Sequence, residues 1–156
     1  MNVNWTEARA YAKWAGGDLP SEAEWEVASR GRLESKEYPW GDKFDSNNLR
    51  CSQIAFGDSG GTASVGSYPT NGYGLYDMVG NVLEWCLDAY DANYWKGTQF
   101  IEPSNLPDSN SVVRVLRGGS WSDDFPDFFR CADRYRNYPD YWFDNRGFRV
   151  VFRGLR

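Results

Sequence analysis

The sequence has no histidine among its 156 residues. This absence excludes a Ser-His or Cys-His nucleophile pair, and a zinc or non-haem iron site with histidine ligands. Its three cysteines, Cys51, Cys86 and Cys131, lie far apart and form no CxxC motif, so a thiolate zinc site is not expected. Because three is odd, at least one thiol is free or pairs outside the chain.

Positive charge is also scarce, since the formal net charge is −5. This balance argues against a nucleic-acid partner or a membrane-surface partner. No apolar run is long enough to span a membrane, and no signal-like segment is recognisable. The length predicts one domain over residues 1–156, and the aromatic content of 17% predicts a core rich in Trp, Tyr and Phe. From Arg114 onward, arginines alternate with aspartates, which predicts ion pairs.

Two helices are predicted near the start of the chain, each opening with a capping box, at Asn4–Glu7 and Ser21–Glu24. Glycines directly after each helix are expected to end it. In the second helix, Trp25, Val27 and Ala28 are expected to face inward. A solvated acidic face is predicted for Glu22, Glu24 and Glu26.

Short strands are expected at residues 65–68, 82–87, 112–116 and 148–152. Between them, Tyr38–Asp42 reads as a turn with an aromatic plug, and residues 91–110 read as a loop. Two helices, scattered short strands and abundant loops predict the α+β class.

The segment around the Gly80-Asn81 turn offers oxygen ligands for one hard cation. Asp77 and Glu84 flank this turn, with the backbone carbonyls of Gly80 and Val82 between them. Calcium takes six to eight oxygens in flexible geometry, so this set is suitable for it. The alternative is a capping Asp77 and an ion-paired Glu84.

Residues 117–149 mix aromatic residues with Asp, Asn and Ser, and follow neither helical nor strand periodicity. This composition is typical of a recognition surface, because tyrosine gives large contact area at low entropy cost. An aromatic-rich core loop is the alternative. If the segment is a recognition surface, five of its residues are expected to be held inside by the scaffold: Arg117, Trp121, Arg130, Arg134 and Arg149.

Five motifs in order resemble the formylglycine-generating-enzyme, or sulfatase-modifying-factor, domain family: LPSEAEWEVASRG, YPWGD, NGYGLYDMVGNVLEW, RVLRGGSW and GFRVVF. The resemblance implies a C-type-lectin-like fold with calcium-supported loops. The family's calcium pattern falls on Asp77, Gly80, Val82 and Glu84. A second calcium site would use Asn48, Leu49 and Asp58. The family portion before the first helix is expected to be missing from this chain.

Enzymes of this family oxidise a substrate cysteine to formylglycine, using two copper-binding cysteines five residues apart. Cys131 matches the second of these, but the first falls near Pro126. Copper(I) at such a site needs both thiolates, so the resemblance implies no copper here. Cys131 is expected to be a small buried hydrophobe. Family members that use iron rely on histidines, which this chain lacks.

A narrower resemblance is to the variable proteins of diversity-generating retroelements, in which a fixed lectin-like scaffold displays randomised side chains. The pattern RGGSW…RCA-x-R-x-R…PD…W…RGFRVV carries it. Whether the residues that interrupt this pattern are diversified or fixed stays open. The candidate ligand-binding residues are Ser122, Asp123, Asp124, Phe125, Asp127, Phe128, Asp133, Tyr135, Asn137, Tyr138, Tyr141, Phe143 and Asp144.

Three functions are consistent with these patterns. The first is a non-catalytic module that binds a protein ligand through aromatic anchors, with acidic residues setting specificity. The second is a formylglycine-generating oxidase with an altered copper site, and the third is a regulatory or structural domain of a larger protein. The resemblance is compatible with a cell-surface or secreted location.

Overall fold

The computed structural model describes residues 1–52, 60–94 and 112–154. Their regular elements are two α-helices and four short strands, and the predicted α+β class is confirmed. In chain order, the elements are α1 (Trp5–Trp14), α2 (Glu22–Arg30), β1 (Leu83–Ala89), β2 (Arg114–Arg117), β3 (Tyr135–Asn137) and β4 (Arg146–Gly147).

The four strands form one mixed sheet in the order β3-β2-β1-β4. β2 runs antiparallel to both β1 and β3, whereas β4 runs parallel to β1. Trp85 pairs with Leu116, and Leu116 pairs in turn with Tyr135. The sheet therefore joins the Gly80-Asn81 segment to both ends of residues 117–149.

Both predicted capping boxes are confirmed. The Asn4 side chain accepts from the Glu7 N–H at 2.9 Å, and the Ser21 N–H donates to the Glu24 carboxylate at 2.8 Å. Each box satisfies donors that the first helical turn leaves free. Val27 does not face inward as predicted, since 61% of its surface is exposed.

The prediction of a solvated acidic face on α2 is wrong for two of its three members. Glu22 is fully buried and accepts from Arg134 Nε at 2.6 Å. Glu26 accepts from Arg117 Nη2 at 2.6 Å, and only Glu24 is exposed. The predicted ion pairs thus exist, but α2 supplies the acids for Arg117, Arg134 and Arg153, because its acidic residues turn toward arginines from the other end of the chain. Arg149 pairs instead with Glu84 of β1.

The two central strands, β1 and β2, are buried on both faces, and two apolar clusters cover them. One cluster packs α1 against Leu83, Trp85 and Leu87 of β1, and the other packs Trp25 and the long loops against Cys86. Successive strand side chains point to opposite faces, so one short strand serves both clusters. This double burial explains why β1 reads as a nearly continuous apolar run.

Two predicted strands are absent, and a third begins later. Residues 65–68 form a turn in which the Ser67 N–H donates to the Ser64 carbonyl, and Gly66 has a positive φ of 78°. In residues 148–152 only Val151 makes a bridge, to Asp18. β4 already occupies the edge of β1, so the chain leaves the sheet after Gly147. Within the predicted 112–116 strand, pairing starts at Arg114, and most of the predicted 91–110 loop lies outside the described residues.

The Tyr38–Asp42 turn is confirmed, with Tyr38 buried and stacked on Trp40. All three cysteines are buried. In the part of the chain that the structure describes, no helix is long and apolar enough to cross a membrane.

Candidate binding surface

A two-glycine turn sets the start of the candidate segment directly after β2. Gly118 and Gly119 have φ values of +96° and +67°, a region that side-chain-bearing residues rarely adopt. A Cβ on Gly119 would lie 2.7 Å from the Phe129 ring and 2.9 Å from the Phe128 carbonyl. Glycine therefore lets the chain turn back against its own aromatic loop.

The side chain of Arg117 anchors the backbone of residues 131–133 by hydrogen bonds. Its guanidinium is fully buried and donates to the carbonyls of Cys131 and Asp133 as well as to Glu26. Planar donors in fixed directions let one arginine tie a helix to two loop carbonyls. The Cys131 N–H donates to the Glu37 carbonyl at 2.7 Å, which adds a second tie.

The first predicted contact residues form a hydrogen-bonded turn. Asp123 accepts from the Ser120 N–H at 2.9 Å and from its hydroxyl at 2.7 Å. Ser122 Oγ accepts from Asn145 Nδ2 at 3.1 Å. These bonds join the two ends of the segment. Asp123 is half-buried and serves the turn, whereas Ser122 and Asp124 are exposed.

A short 3-10 helix, Pro126–Phe129, carries the first aromatic pair. Phe129 is fully buried, while Phe125 and Phe128 are exposed and meet edge to face, with ring centroids 6.1 Å apart. One buried ring thus fixes a turn that presents two others to solvent.

A second aromatic group follows β3. The Tyr138 and Tyr141 rings lie 6.1 Å apart, and those of Tyr141 and Phe143 lie 6.5 Å apart in a stacked arrangement. Tyr135 and Trp142 are exposed beside them. Together the two groups are called the aromatic surface below, and they comprise Phe125, Phe128, Tyr135, Tyr138, Tyr141, Trp142 and Phe143.

The polar candidates divide between surface and scaffold. Asp127 and Asp144 are exposed, and Asp127 lies 3.7 Å from Arg130. Asp133 is half-buried, and burial raises its pKa. The Asn137 side chain accepts from the Tyr138 N–H at 2.8 Å. Asp133 and Asn137 therefore contribute mainly to the structure of the segment, and they are less exposed to a ligand than Asp127 and Asp144.

The side chains predicted to lie inside are buried to different degrees. Arg117 is fully buried, and Arg134 and Arg149 are largely buried in ion pairs with glutamates. Trp121 is partly exposed, and the Arg130 side chain is 42% exposed, so the prediction is wrong for Arg130. The aromatic candidates are exposed, and the core-loop alternative therefore fails for them.

Sequence reasoning missed Trp142 and Arg146 at this surface. Trp142 is 63% exposed, and its place between Tyr141 and Phe143 was the available signal. Arg146 lies 5% exposed beneath the Phe143 ring, with its guanidinium carbon 4.4 Å from the ring centroid. No local pattern distinguishes that arginine from its neighbours in the sequence.

The predicted cation site also has definite geometry. Asp77, Val82 and Glu84 line one cavity together with Arg149. Arg149 donates to both Glu84 oxygens, at 2.6 and 2.7 Å, and to the Asp77 carbonyl at 3.3 Å. Burial alone would lower the pKa of Arg149, but the Glu84 carboxylate raises it. A calcium ion would therefore have to share Glu84 with this guanidinium or replace it.

Calcium binding at Asp77, Gly80, Val82 and Glu84 stays a prediction, and thermal unfolding tests it. For a dissociation constant of about 0.5 mM, 5 mM calcium is expected to raise the Tm by about 3 to 6 °C. The chelator EGTA should reverse the rise, magnesium should not reproduce it, and Asp77→Ala should weaken it. The same Tm in calcium and in EGTA would show that Arg149 is the only cation Glu84 holds.

For the second predicted calcium site, Asn48 ends the 3-10 helix Ser46–Asn48 and Leu49 is buried. Asp58 lies outside the described residues. The residues present do not supply the two thiolates that copper(I) needs. Pro126, the first residue of the 3-10 helix Pro126–Phe129, stands where the first cysteine would be. Burial raises the pKa of the Cys131 thiol, which disfavours the thiolate that copper needs.

These features define a class of protein: a small α+β scaffold in which buried arginine–glutamate pairs hold long irregular loops. The chain belongs to the sulfatase-modifying factor enzyme 1-like domain family, whose model matches residues 1–153. The family resemblance seen in the five motifs is therefore confirmed.

Relatives in this family have different names. The chain is 44% identical over 153 residues to the serine/threonine-protein kinase pkn1 of Chlamydia caviae, which covers 97% of this chain and 23% of that protein. It is 39% identical over 163 residues to the formylglycine-generating enzyme of Streptomyces coelicolor, covering 97% and 51%. It is 40% identical to the inactive C-alpha-formylglycine-generating enzyme 2 of Bos taurus, covering 97% and 49%. The chain thus spans about half or less of these relatives.

Solved structures resemble the fold as well, and PvdO and a variable protein are among them. PvdO from Pseudomonas aeruginosa matches with a TM-score of 0.73 at 28% identity, covering 96% of this chain and 60% of that one. Treponema denticola variable protein 1 matches with a TM-score of 0.69 at 34% identity, covering 85% and 46%. The predicted likeness to variable proteins is confirmed by the second match. Because one fold supports many functions, the site must decide among them.

Proposed function

We propose that this domain is a non-catalytic binding module, which grips a protein ligand with the aromatic surface. The observation that carries the proposal is the exposure of seven large rings on a segment whose backbone is hydrogen-bonded to a buried arginine. Monomeric soluble proteins rarely expose so many large apolar side chains together, and patches of this kind usually mark interaction sites. The likeness to Treponema denticola variable protein 1 supports the same interpretation.

Rigidity is the second argument. Arg117, Arg134 and Arg149 each donate to a buried or half-buried glutamate, which holds these three points of the segment against the scaffold. Arg117 also donates to two backbone carbonyls within the segment. Loops held in this way lose little entropy when a ligand binds, so more of the contact energy appears as affinity. Tyrosine and tryptophan anchors carry most of the energy in interfaces of this kind.

The surface charge indicates how specificity arises. Exposed Asp124, Asp127, Asp140 and Asp144 stand among the rings. Charged groups at the rim of an interface steer association and exclude partners of like charge more than they add affinity. These aspartates are therefore expected to set which partner binds and at what rate.

The proposal predicts that Tyr135→Ala, Tyr138→Ala and Tyr141→Ala together weaken ligand binding by at least 100-fold, since anchors contribute about 2 kcal/mol or more each. Tagged domain would be used to capture partners from cells that produce it, with quantitative mass spectrometry of the retained proteins. Captured partners would then be titrated against the wild-type domain and the triple tyrosine variant.

The matched control removes three exposed aromatic residues outside the aromatic surface, Tyr11, Trp14 and Tyr73. Circular dichroism must show that both triple variants keep the fold. A partner held equally by the wild type, the control and the tyrosine variant would contradict the proposal.

Formylglycine-generating relatives make an oxidase the second candidate. Oxygen-dependent conversion of a cysteine-containing peptide, measured by mass spectrometry with copper(I) present, separates the two functions. We expect no conversion, because Pro126 gives no sulfur ligand beside Cys131. Conversion that Cys131→Ser abolishes would establish the oxidase.

A further inference from the structure

Arg146 differs from the other buried arginines around the aromatic surface. It is 5% exposed, and its Nε and Nη1 atoms have no hydrogen-bond partner in the described structure. Arg117, Arg134 and Arg149 are each paired with a glutamate at 2.6 to 2.7 Å. A buried charge without a hydrogen-bonded counter-ion costs several kcal/mol, so its retention calls for a reason.

Two aromatic rings enclose the Arg146 guanidinium. Its central carbon lies 4.4 Å from the centroid of Phe143 and 5.8 Å from that of Trp85. Desolvation lowers the pKa of Arg146, and the Tyr135 phenol is the titratable group near enough to oppose this shift. Cation–π contacts give partial compensation and leave the N–H donors unused.

The two unpartnered nitrogen atoms of Arg146 lie in a guanidinium that packs against Phe143, one of the rings of the aromatic surface. Phe143 and Tyr135 are candidate contact residues that interact with Arg146, and both are about half exposed. Trp85, by contrast, is fully buried. An exposed ring can change rotamer at small cost, so a ligand group has a route to the guanidinium past Phe143.

We propose that Arg146 is an anion-binding residue at the base of the aromatic surface, and that it takes a carboxylate of the protein ligand. A guanidinium presents two parallel N–H pairs, Nε with Nη2 and Nη1 with Nη2, and each matches a planar carboxylate. In Arg146 each pair includes one of the two unpartnered atoms. A doubly charged phosphate would be repelled more strongly by the aspartates of the surface, such as Asp140 and Asp144. This inference rests on the proposed function, and it adds the chemistry of one ligand group.

The test uses acetate as the probe and the whole domain with 15N-labelled arginine. The Arg146 Nε–H resonance, assigned by its loss in Arg146→Gln, is expected to shift saturably with a dissociation constant in the millimolar range. Acetamide at the same concentration and ionic strength should give no shift. No acetate shift, or an equal shift with acetamide, would overturn the proposal, and tighter binding of inorganic phosphate would overturn the choice of carboxylate.

Two variants separate binding from structure. Arg136→Gln removes an exposed arginine that also lies over a tyrosine ring, and it should leave the acetate response of Arg146 intact. Arg146→Met keeps an apolar stem, so it should keep or raise the Tm. It should also abolish the acetate-induced shifts of the ring proton resonances of Tyr135 and Phe143. A large fall in Tm would instead assign Arg146 a structural role.

The acetate test contains no protein ligand, so its failure leaves the proposed binding function standing. Conversely, tyrosine variants that keep full binding would overturn the proposed function without affecting the acetate result. With a captured partner, Arg146→Gln is expected to weaken binding at least 10-fold relative to Arg136→Gln.

Discussion

Replacing Glu22 with glutamine is expected to lower the free energy of unfolding by about 3 kcal/mol or more, because it removes one partner of a buried ion pair. Glu22 is fully buried and accepts from Arg134 Nε and Nη2 at 2.6 and 2.7 Å. Arg117 Nε lies 3.6 Å from the same carboxylate. Glutamine keeps the size of the side chain but leaves both arginines with less compensating charge.

One neighbour offsets part of this loss. Asp88 is also buried and accepts from the Glu22 N–H at 2.6 Å. Burial, opposed by that hydrogen bond and reinforced by the charge of Glu22, raises the pKa of Asp88 to about 6. Removing the Glu22 charge therefore relieves some repulsion at Asp88. For this reason we expect a loss of unfolding free energy of about 3 kcal/mol.

Urea unfolding at pH 7.5 measures the effect, and Glu24→Gln is the matched control. Glu24 lies on the same helix and pairs with Arg153, but both side chains are more than 40% exposed. Exposed pairs contribute about 0 to 1 kcal/mol, so the control should change little. Equal losses for the two variants would show that burial of the pair is not what matters.

The second large effect is expected from Gly119→Ala, which should destabilise the fold by about 2 to 5 kcal/mol. The positive φ of 67° costs an alanine about 1 to 2 kcal/mol, and overpacking adds about 1 to 3 kcal/mol. The added methyl would meet the fully buried ring of Phe129 at 2.7 Å. That ring anchors the turn of Phe125 and Phe128, so the aromatic surface should be displaced as well.

Gly74→Ala separates the two contributions. Gly74 has a φ of +75°, but no atom lies within 4 Å of the position where its Cβ would stand. Its variant should lose only the conformational part, about 1 to 2 kcal/mol. A Gly119 variant no worse than the Gly74 variant would show that Phe129 yields, and that the close packing after β2 is not required.

Local features of the fold were predictable because they depend on neighbours in the sequence. The capping boxes at Asn4 and Ser21 and the turn at Tyr38–Asp42 occur where the patterns place them. β1 was found as an apolar run, since burial on both faces leaves a direct trace in composition.

Strand ends were predicted less well, because pairing needs a free sheet edge as well as β-propensity. Residues 148–152 are rich in Phe and Val, yet only Val151 finds a bridging partner, in Asp18. The sequence holds no sign that Arg146 and Gly147 occupy the edge of β1 first.

For the candidate site, the mixture of rings and aspartates in residues 117–149 and the absence of a second sulfur at Pro126 follow from the amino-acid order alone. Which of these side chains are exposed depends on long-range contacts. The fold turns Phe129 inward and Phe125 outward, assigns Asp123 to the turn, buries Glu22 against Arg134 and partly buries Glu26 against Arg117. Composition fixes which groups a chain can offer, but contacts over 91 and 112 residues fix which of them remain available to a ligand.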